Sequence, residues 1–190
     1  RQSKQYKYWC AYNWWSEYVF AAVQQRAIII KDIKLASNNL ASTVVLDGGC
    51  GAGLLVQDLL EIGTGYVVAV DKNGMAITQV QNYLSKFVNL GRLEIYQSDL
   101  LTYLQSEKPD RFDFVVLSKV IYFLPEKVES LIQQAIRVTK KGGVIIISDA
   151  MIQKYKFTPF LEAEIRERGF MQTIKTLLLN ISKIIVLAKT

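Results

Sequence analysis

The chain has 190 residues, of which 51% are apolar and 21% are charged, a composition typical of one ordinary globular domain. It contains no histidine and only two cysteines, Cys10 and Cys50, which excludes a histidine-based triad or general base, a disulfide framework and almost every catalytic zinc site. The net charge is +6, and without a dense basic cluster this modest excess fits a solvated face better than a nucleic-acid surface.

Aromatic side chains dominate the first part of the chain, residues 1–42. Eight aromatic residues lie between positions 6 and 20. Tyr8, Tyr12 and Trp15 have the spacing of one helical face, so we expect one or two helices packed on the core. The segment also holds six basic and two acidic residues, which leaves attraction to an anionic substrate or to nucleic acid as an alternative.

The hydropathy pattern gives no sign of a membrane segment. No apolar run approaches the ~18 residues that a membrane-spanning helix needs, and the beginning of the sequence does not resemble a secretory signal. The low cysteine content is typical of a reducing compartment. Together these features predict a cytoplasmic protein that does not bind membranes.

From residue 43 onward, strand-like and helix-like patterns alternate. Short apolar runs predict strands over 43–47, 66–70, 93–97, 112–117 and 144–148. Helical spacing predicts helices over 54–62, over 76–88, from Pro125 to a turn at 140–143, and over 159–168. The alternation predicts a parallel sheet with helices on both faces. The final apolar runs, 171–179 and 184–188, predict an antiparallel hairpin.

Polar residues lie at or just after the ends of the predicted strands. They are Asp47, Asp71, Asp99, Ser118 and Asp149. Because the carboxyl ends of parallel strands meet at one edge of a sheet, where ligands bind in α/β folds, we expect a binding cleft there. Some of these residues are also expected to cap the helices that follow them.

A glycine-rich turn, residues 48–53, joins the first predicted strand to the first predicted helix. Such a turn lets the backbone approach a ligand and points helix N–H groups at it. The dinucleotide fingerprint needs a third glycine where this chain has Leu54, and Asp47 suits a cationic or amino-acid-like ligand better than a pyrophosphate. We interpret Cys50 as a small apolar filler, because no base that would activate it can be named.

The segment Val45–Gly53 resembles the first motif of the class I S-adenosylmethionine-dependent methyltransferases. The resemblance continues through Asp71, the segment 98–100 and the strands at 112–118 and 144–147, in the family's order. It implies a three-layer α/β sandwich with a mostly parallel, seven-stranded sheet and a final antiparallel hairpin. It also implies two parts, a methyltransferase core over 43–190 and a helical lid over 1–42.

The resemblance implies that the chain binds S-adenosylmethionine, releases S-adenosylhomocysteine and needs no metal. In the family's arrangement Asp71 accepts hydrogen bonds from the ribose hydroxyls, Asp99 accepts one from the adenine amino group, and Asp47 helps to hold the amino group of the methionine part. The residues that match cofactor-binding positions are Asp47, Gly48, Gly49, Gly51, Gly53, Asp71, Lys72, Met75, Asp99, Leu100 and Ser118.

Methyl transfer from a sulfonium is a direct displacement, so the protein mainly has to align the acceptor and exclude water. Because the chain has no histidine, the candidates for a general base are Lys119, Tyr122 and Asp149.

The acceptor pocket is expected under the helical lid, since in this family the segment before the core often folds over the cofactor. Tyr6, Tyr8, Tyr12 and Phe123 are the candidate acceptor-binding residues, because their rings can line a pocket for a flat or apolar molecule. The same rings could instead pack as plain core.

The acceptor class is predicted by what the motifs lack. The Asn-Pro-Pro-Tyr motif of enzymes that methylate planar nitrogens is replaced by Ser118-Lys119-Val120-Ile121, and the Pro-Cys motif of cytosine-carbon methyltransferases is missing. The resemblance therefore favours a small-molecule acceptor. The alternatives are an RNA methyltransferase and a non-catalytic protein that retains the cofactor fold.

Overall fold

The computed structural model describes residues 16–121, 125–149, 170–171, 177–178 and 183–189, with side chains over 23–121 and 126–148. Tyr6, Tyr8, Tyr12, Tyr122 and Phe123 lie outside these ranges, as does the helix predicted over 159–168. Within the part that is described, no helix is long and apolar enough to cross a membrane.

Five parallel strands form the main part of one sheet. They are β1 (Val44–Gly48), β2 (Tyr66–Asp71), β3 (Leu93–Gln97), β4 (Phe112–Ser118) and β5 (Thr139–Asp149). Their order in the sheet is β3-β2-β1-β4-β5, and every neighbouring pair is parallel. The predicted parallel sheet is therefore confirmed, and the reversal of strand order beside β1 is where ligands bind in such folds.

In the described part of the chain, one helix precedes β1, and the other helices connect the strands. The helices are α1 (Ser16–Ala36), α2 (Leu54–Glu61), α3 (Gly74–Tyr83), α4 (Ser85–Asn89), α5 (Leu100–Ser106) and α6 (Val128–Val138). Short 3-10 turns lie at Leu40–Ser42 and Pro125–Lys127. The helix predicted over 76–88 is divided at Leu84 into α3 and α4.

Two features of the structure differ from the sequence-based prediction. The short helix α5 was not expected, because its seven residues are too few to show a clear helical period. The turn expected at 140–143 lies inside β5, since Thr139 already pairs with Phe112 and Val144 pairs with Phe114. The extra residues form a bulge that contains Gly142 at a φ of 77°.

The core consists of one apolar cluster on each face of the sheet. Alternate residues of a strand point to opposite faces, so Leu46 packs with α5 and α6 whereas Val45 packs with α1, α2 and α3. Ile29 and Ile33 of α1 are fully buried in the second cluster. The carboxyl-terminal half of α1 is therefore part of the core.

One further strand, β8 (Lys183–Lys189), runs antiparallel to β5. Two short segments, β6 (Phe170–Met171) and β7 (Leu177–Leu178), also pair antiparallel with different parts of β8. The described residues thus place antiparallel strands beside a parallel sheet. With β6 and β7 counted separately the described sheet has eight strands, so the predicted total of seven is not confirmed. The complete hairpin and the lid stay predictions.

Candidate functional site

The carboxyl ends of the parallel strands form the candidate site. Asp71 at the end of β2 pairs in register with Gln97 of β3, and Ser118 at the end of β4 pairs with Ser148 of β5. Asp47 lies one residue before the end of β1, between these two pairs. The sheet thus brings together the strand-end residues that the sequence identified.

The glycine-rich turn after β1 folds back onto β2 through its backbone. The amides of Gly49 and Cys50 donate to the carbonyl of Val70, across 2.7 and 3.0 Å. The amide of Gly51 donates to Oδ2 of Asp71 across 2.9 Å. Because a backbone amide donates directly to the carboxylate, the turn and the end of β2 form one rigid unit.

Gly51 leaves open space at the turn. Its φ is 52°, and a Cβ built on it would meet no atom within 4 Å. A left-handed φ favours glycine, and the free space lets a ligand approach the backbone.

The other glycines of the turn are required by packing. A Cβ on Gly49 would lie 2.5 Å from the side chain of Val120, and one on Gly53 would lie 2.8 Å from that of Val80. Gly48, the last residue of β1, lies against Leu100, to which a Cβ would come within 2.9 Å. These glycines bring β1, α2 and their neighbours close together.

Asp47 is a buried carboxylate with one oxygen that lacks a partner. The residue is 2% exposed, and its Oδ2 makes no hydrogen bond to the described residues. Burial, followed by repulsion from Asp71, raises the pKa of Asp47 to about 7. Buried polar atoms are almost always paired in native proteins, so this oxygen fits a cationic or hydrogen-bond-donating ligand.

Asp71 is 5% exposed and is held at both oxygens. Oδ1 accepts the amide of Asn73 at 2.8 Å, while Oδ2 accepts that of Gly51. Each carboxylate oxygen can accept more than one hydrogen bond, so both can also accept from a ligand hydroxyl.

The residues after Asp71 lie at the same rim. Lys72 is exposed and Met75 is 51% exposed. Asn73 is buried, and its side chain caps α3 by accepting the amide of Met75 at 3.0 Å. Asn73 was not predicted from the sequence, although an asparagine just before a helical pattern is a common cap signal.

Asp99 is the N-cap of α5. Its Oδ1 accepts the amide of Thr102 at 3.2 Å, so the capping role that was considered for the strand-end carboxylates holds for this residue. Leu100 is buried in the core. The assignment of these two residues to the adenine stays a prediction.

The ends of β4 and β5 lie beside one another on the other side of β1. Ser118 is half-buried, and Lys119 follows it at a φ of 58°. The amide of Lys119 donates to the carbonyl of Ser148 at 2.7 Å. Asp149 is the last residue of β5, and its backbone pairs with Lys183. Lys119 and Asp149 therefore lie at this rim. The backbone of Asp149 is described, but its side chain lies outside the described residues.

Gln25 and Ser148 are site-proximal residues that the sequence did not reveal. Both are buried, and the carboxamide of Gln25 donates to the hydroxyl of Ser148. They are 123 residues apart in the chain, so no local pattern could have indicated the contact.

Cys50 is a buried free thiol. Burial, reinforced by the nearby carboxylates of Asp47 and Asp71, raises the pKa of this thiol well above its ordinary value. A thiol that stays protonated is a poor nucleophile, in agreement with its interpretation as a filler.

The polar groups at this rim match the functional groups of S-adenosylmethionine. This molecule carries an amino-acid end with a cationic ammonium group, and a ribose with two hydroxyls. The unpaired oxygen of buried Asp47 and the open space at Gly51 suit the first, and the carboxylate of Asp71 suits the second.

Comparison with known families identifies one match. Residues 39–181 match the family model described as "Methyltransferase domain". This range includes the glycine-rich turn, all five parallel strands and the rim that they form.

Curated proteins similar to this chain include two ubiquinone biosynthesis O-methyltransferases. The mitochondrial protein of Rattus norvegicus is 31% identical over 150 residues, which cover 73% of this chain and 43% of that protein. The protein of Pseudomonas fluorescens (strain Pf0-1) is 30% identical over 111 residues, which cover 58% of this chain and 45% of that protein. The chain thus spans less than half of the length of these relatives.

Solved structures share the fold. One is magnesium protoporphyrin IX methyltransferase from Synechocystis PCC 6803, solved with bound SAM. Its superposition has a TM-score of 0.73 at 18% identity and covers 99% of this chain and 92% of the Synechocystis chain. A SAM-dependent methyltransferase from Aquifex aeolicus has a TM-score of 0.65 at 16% identity, covering 84% and 88%. The chain therefore belongs to the methyltransferase domain family and has the fold of the class I S-adenosylmethionine-dependent methyltransferases.

Proposed function

We propose that this chain transfers the methyl group of S-adenosylmethionine to an oxygen atom of a small molecule. The observation that carries the proposal is the rim itself, where the buried, unpaired oxygen of Asp47 lies beside a carboxylate, Asp71, that the turn already orients. The oxygen acceptor is supported by the curated relatives, which are named as O-methyltransferases.

The cofactor is held by the ends of β1, β2 and β3. Asp47 pairs with the ammonium of the methionine part. Gly51 leaves open space for that part, while Gly49 lets the turn pack closely against Val120 beside it. Asp71 accepts hydrogen bonds from the ribose hydroxyls. Lys72, Met75, Asp99 and Leu100 surround the adenine, while Gly48, Gly53 and Ser118 complete the wall.

When bound, S-adenosylmethionine supplies a methyl group on a positively charged sulfur, so the leaving group is already activated. The residues of the chain align the acceptor oxygen behind that methyl group and exclude water. The acceptor hydroxyl loses its proton as the oxygen–carbon bond forms and the sulfur–carbon bond breaks. Lys119, Tyr122 and Asp149 are the proposed groups to receive that proton or to orient the hydroxyl.

The acceptor binds beyond β4 and β5, because most of the cofactor residues lie at the ends of β1, β2 and β3. The helical lid, residues 1–42, covers this side and contributes Tyr6, Tyr8 and Tyr12, together with Phe123 of the core over 43–190. Phenolic rings suit a flat or apolar acceptor, since they can both pack against it and hydrogen-bond to it.

The test is a methyl-transfer assay with radiolabelled cofactor and a matched acceptor panel. The panel pairs alkylated phenols and catechols with anilines of the same shape, and includes bulk tRNA. We expect transfer to the phenols or catechols and much slower transfer to the anilines. Transfer to tRNA alone would establish the RNA alternative, and cofactor binding without transfer to any acceptor would establish the scaffold alternative.

A further inference from the structure

Gln25 connects the first helix to the rim by a buried hydrogen bond. Gln25 is 3% exposed and Ser148 is fully buried. The Nε2 atom of Gln25 donates to the hydroxyl of Ser148 and lies 3.4 Å from the carbonyl oxygen of the same residue. A buried amide without partners is costly, so this contact fixes where α1 lies relative to the end of β5.

Ser148 also holds the turn that leaves β4. Its carbonyl accepts the amide of Lys119 at 2.7 Å, and Lys119 has a φ of 58°. The left-handed region is unfavourable for a residue with a Cβ and persists only where surrounding contacts hold it. Ser148 therefore joins α1, through Gln25, to the strained turn at Lys119.

The neighbouring residue of α1 makes a different attachment. Arg26 forms an ion pair with Asp58 of α2 at 2.7 Å, and the two side chains are 24% and 36% exposed. This pair holds α1 to the helical layer and does not touch β4 or β5. Adjacent residues of one helix thus provide one contact at the rim and one away from it.

We propose that Gln25 is a positioning residue for the methyl acceptor: its carboxamide holds α1 and the Lys119 turn in place through Ser148, and so sets the wall of the acceptor pocket. This inference rests on the proposed function, which places the acceptor beyond β4 and β5. Cofactor binding depends mainly on the ends of β1, β2 and β3, with Ser118 of β4 at its edge, so we expect it to change much less than acceptor binding in a Gln25 variant.

The test compares Q25M, which keeps the side-chain volume but removes the donor, with S148A, the double variant and the control R26Q. We expect Q25M and S148A each to raise the KM for the most reactive alkylated phenol by about tenfold, the scale of one lost hydrogen bond. The double variant should resemble the single ones, because both remove the same contact. The Kd for S-adenosylhomocysteine should stay within about twofold of wild type, which corresponds to a change in binding free energy of less than about 0.4 kcal/mol. R26Q should lower Tm and leave KM unchanged.

A second readout needs no acceptor. Hydrogen exchange at the Lys119 amide should be faster in Q25M and unchanged in R26Q, because the side chain of Gln25 contacts Ser148, whose carbonyl accepts that amide, whereas the side chain of Arg26 pairs with Asp58. An unchanged Lys119 amide in Q25M would overturn the inference, as would an equal rise in KM for R26Q. Wild-type protein that methylates nothing in the panel would instead overturn the proposed function, while the exchange result would still decide whether Gln25 holds the turn.

Discussion

The amide of Gly51 and the carboxylate of Asp71 are joined by a hydrogen bond of 2.9 Å. This contact ties the turn after β1 to the end of β2 through protein atoms alone. Preorganisation of this kind lowers the cost of ordering the site when a ligand arrives. It also means that the backbone of the turn and the acceptor atoms of Asp71 act as one unit.

Replacement of Gly51 by alanine should weaken cofactor binding more than it weakens the fold. The added Cβ meets no protein atom within 4 Å, so the fold loses only about 1–2 kcal/mol to left-handed strain. In the proposed arrangement, however, that Cβ enters the open space that the cofactor occupies. We expect an increase of at least about tenfold in the Kd for S-adenosylhomocysteine, measured by calorimetry.

Gly91→Ala is the matched control for that experiment. Gly91 has a φ of 66° and equally open surroundings, but it precedes β3 at the opposite end of the sheet. Its replacement should cost similar stability and leave the Kd unchanged. Equal effects of the two variants on Kd would show that Gly51 acts through strain alone.

The buried carboxyl of Asp47 should make stability depend on pH. Its pKa is raised from 3.8 to about 7 in the folded protein, so the folded state binds a proton that the unfolded state has released across this window. The free energy of unfolding should therefore fall as pH rises from about 4 to about 7. Denaturant titrations of wild type and Asp47→Asn check this, and the variant should have a flatter profile.

Asp47 should also make cofactor binding depend on pH. A cationic amino group beside the carboxyl favours its ionised form, so binding should release a proton and strengthen between about pH 6 and pH 7.5. Calorimetry in buffers of different ionisation enthalpy measures that proton. Proton release of the same size in Asp47→Asn would contradict the assignment.

The first twenty residues of the helical lid should be more important for turnover than for folding. Deletion of residues 1–20 keeps Ile29 and Ile33, which are buried in the core, so the protein should fold and bind the cofactor with modest loss. Methyl transfer should fall severely, because the acceptor would be exposed to water. Full activity of the truncated protein would show that the lid does not form the pocket.

A longer deletion provides the comparison. Removal of residues 1–36 also removes Ile29 and Ile33 and the Arg26–Asp58 ion pair. Each large buried apolar side chain contributes about 1.5–3 kcal/mol, so this variant should be unfolded or have a much lower Tm. A well-folded protein lacking residues 1–36 would contradict the view that α1 belongs to the core.

The RNA alternative predicts a strong dependence on salt. Binding through phosphate contacts weakens steeply between about 50 and 200 mM salt. We expect no association with bulk tRNA at physiological salt and no salt-dependent shift in gel mobility. A robust shift that disappears over this range would favour an RNA acceptor.

The parallel strands could be predicted from the sequence, because each is a short apolar run followed by a polar residue or glycine. The motif at 45–53 was equally clear, since only a tight turn explains so many glycines between a strand and a helix. The break at Leu84 and the short helix α5 were not predicted, because a local helical period does not show where a helix is interrupted or how short it can be.

The candidate site was predicted less completely than the fold. The positions of Asp47 and Asp71 follow from their strands, but the unpaired oxygen of Asp47 and the two amide partners of Asp71 depend on how the strands and turns pack. Gln25 lies 123 residues from its partner Ser148, and Asp99 caps a helix that the sequence did not reveal. Such contacts are set by tertiary structure.

Calorimetric titration of the wild-type protein and of Asp71→Ala with S-adenosylhomocysteine and NAD is the decisive test of the cofactor assignment. We expect wild type to bind S-adenosylhomocysteine and not NAD. Asp71→Ala should lose about 2–3 kcal/mol of binding free energy, because two ribose hydroxyls lose a charged partner. Asp58→Asn, which changes a carboxylate on α2, should bind like wild type. Binding of NAD in preference to S-adenosylhomocysteine, or unaltered binding by Asp71→Ala, would contradict the account.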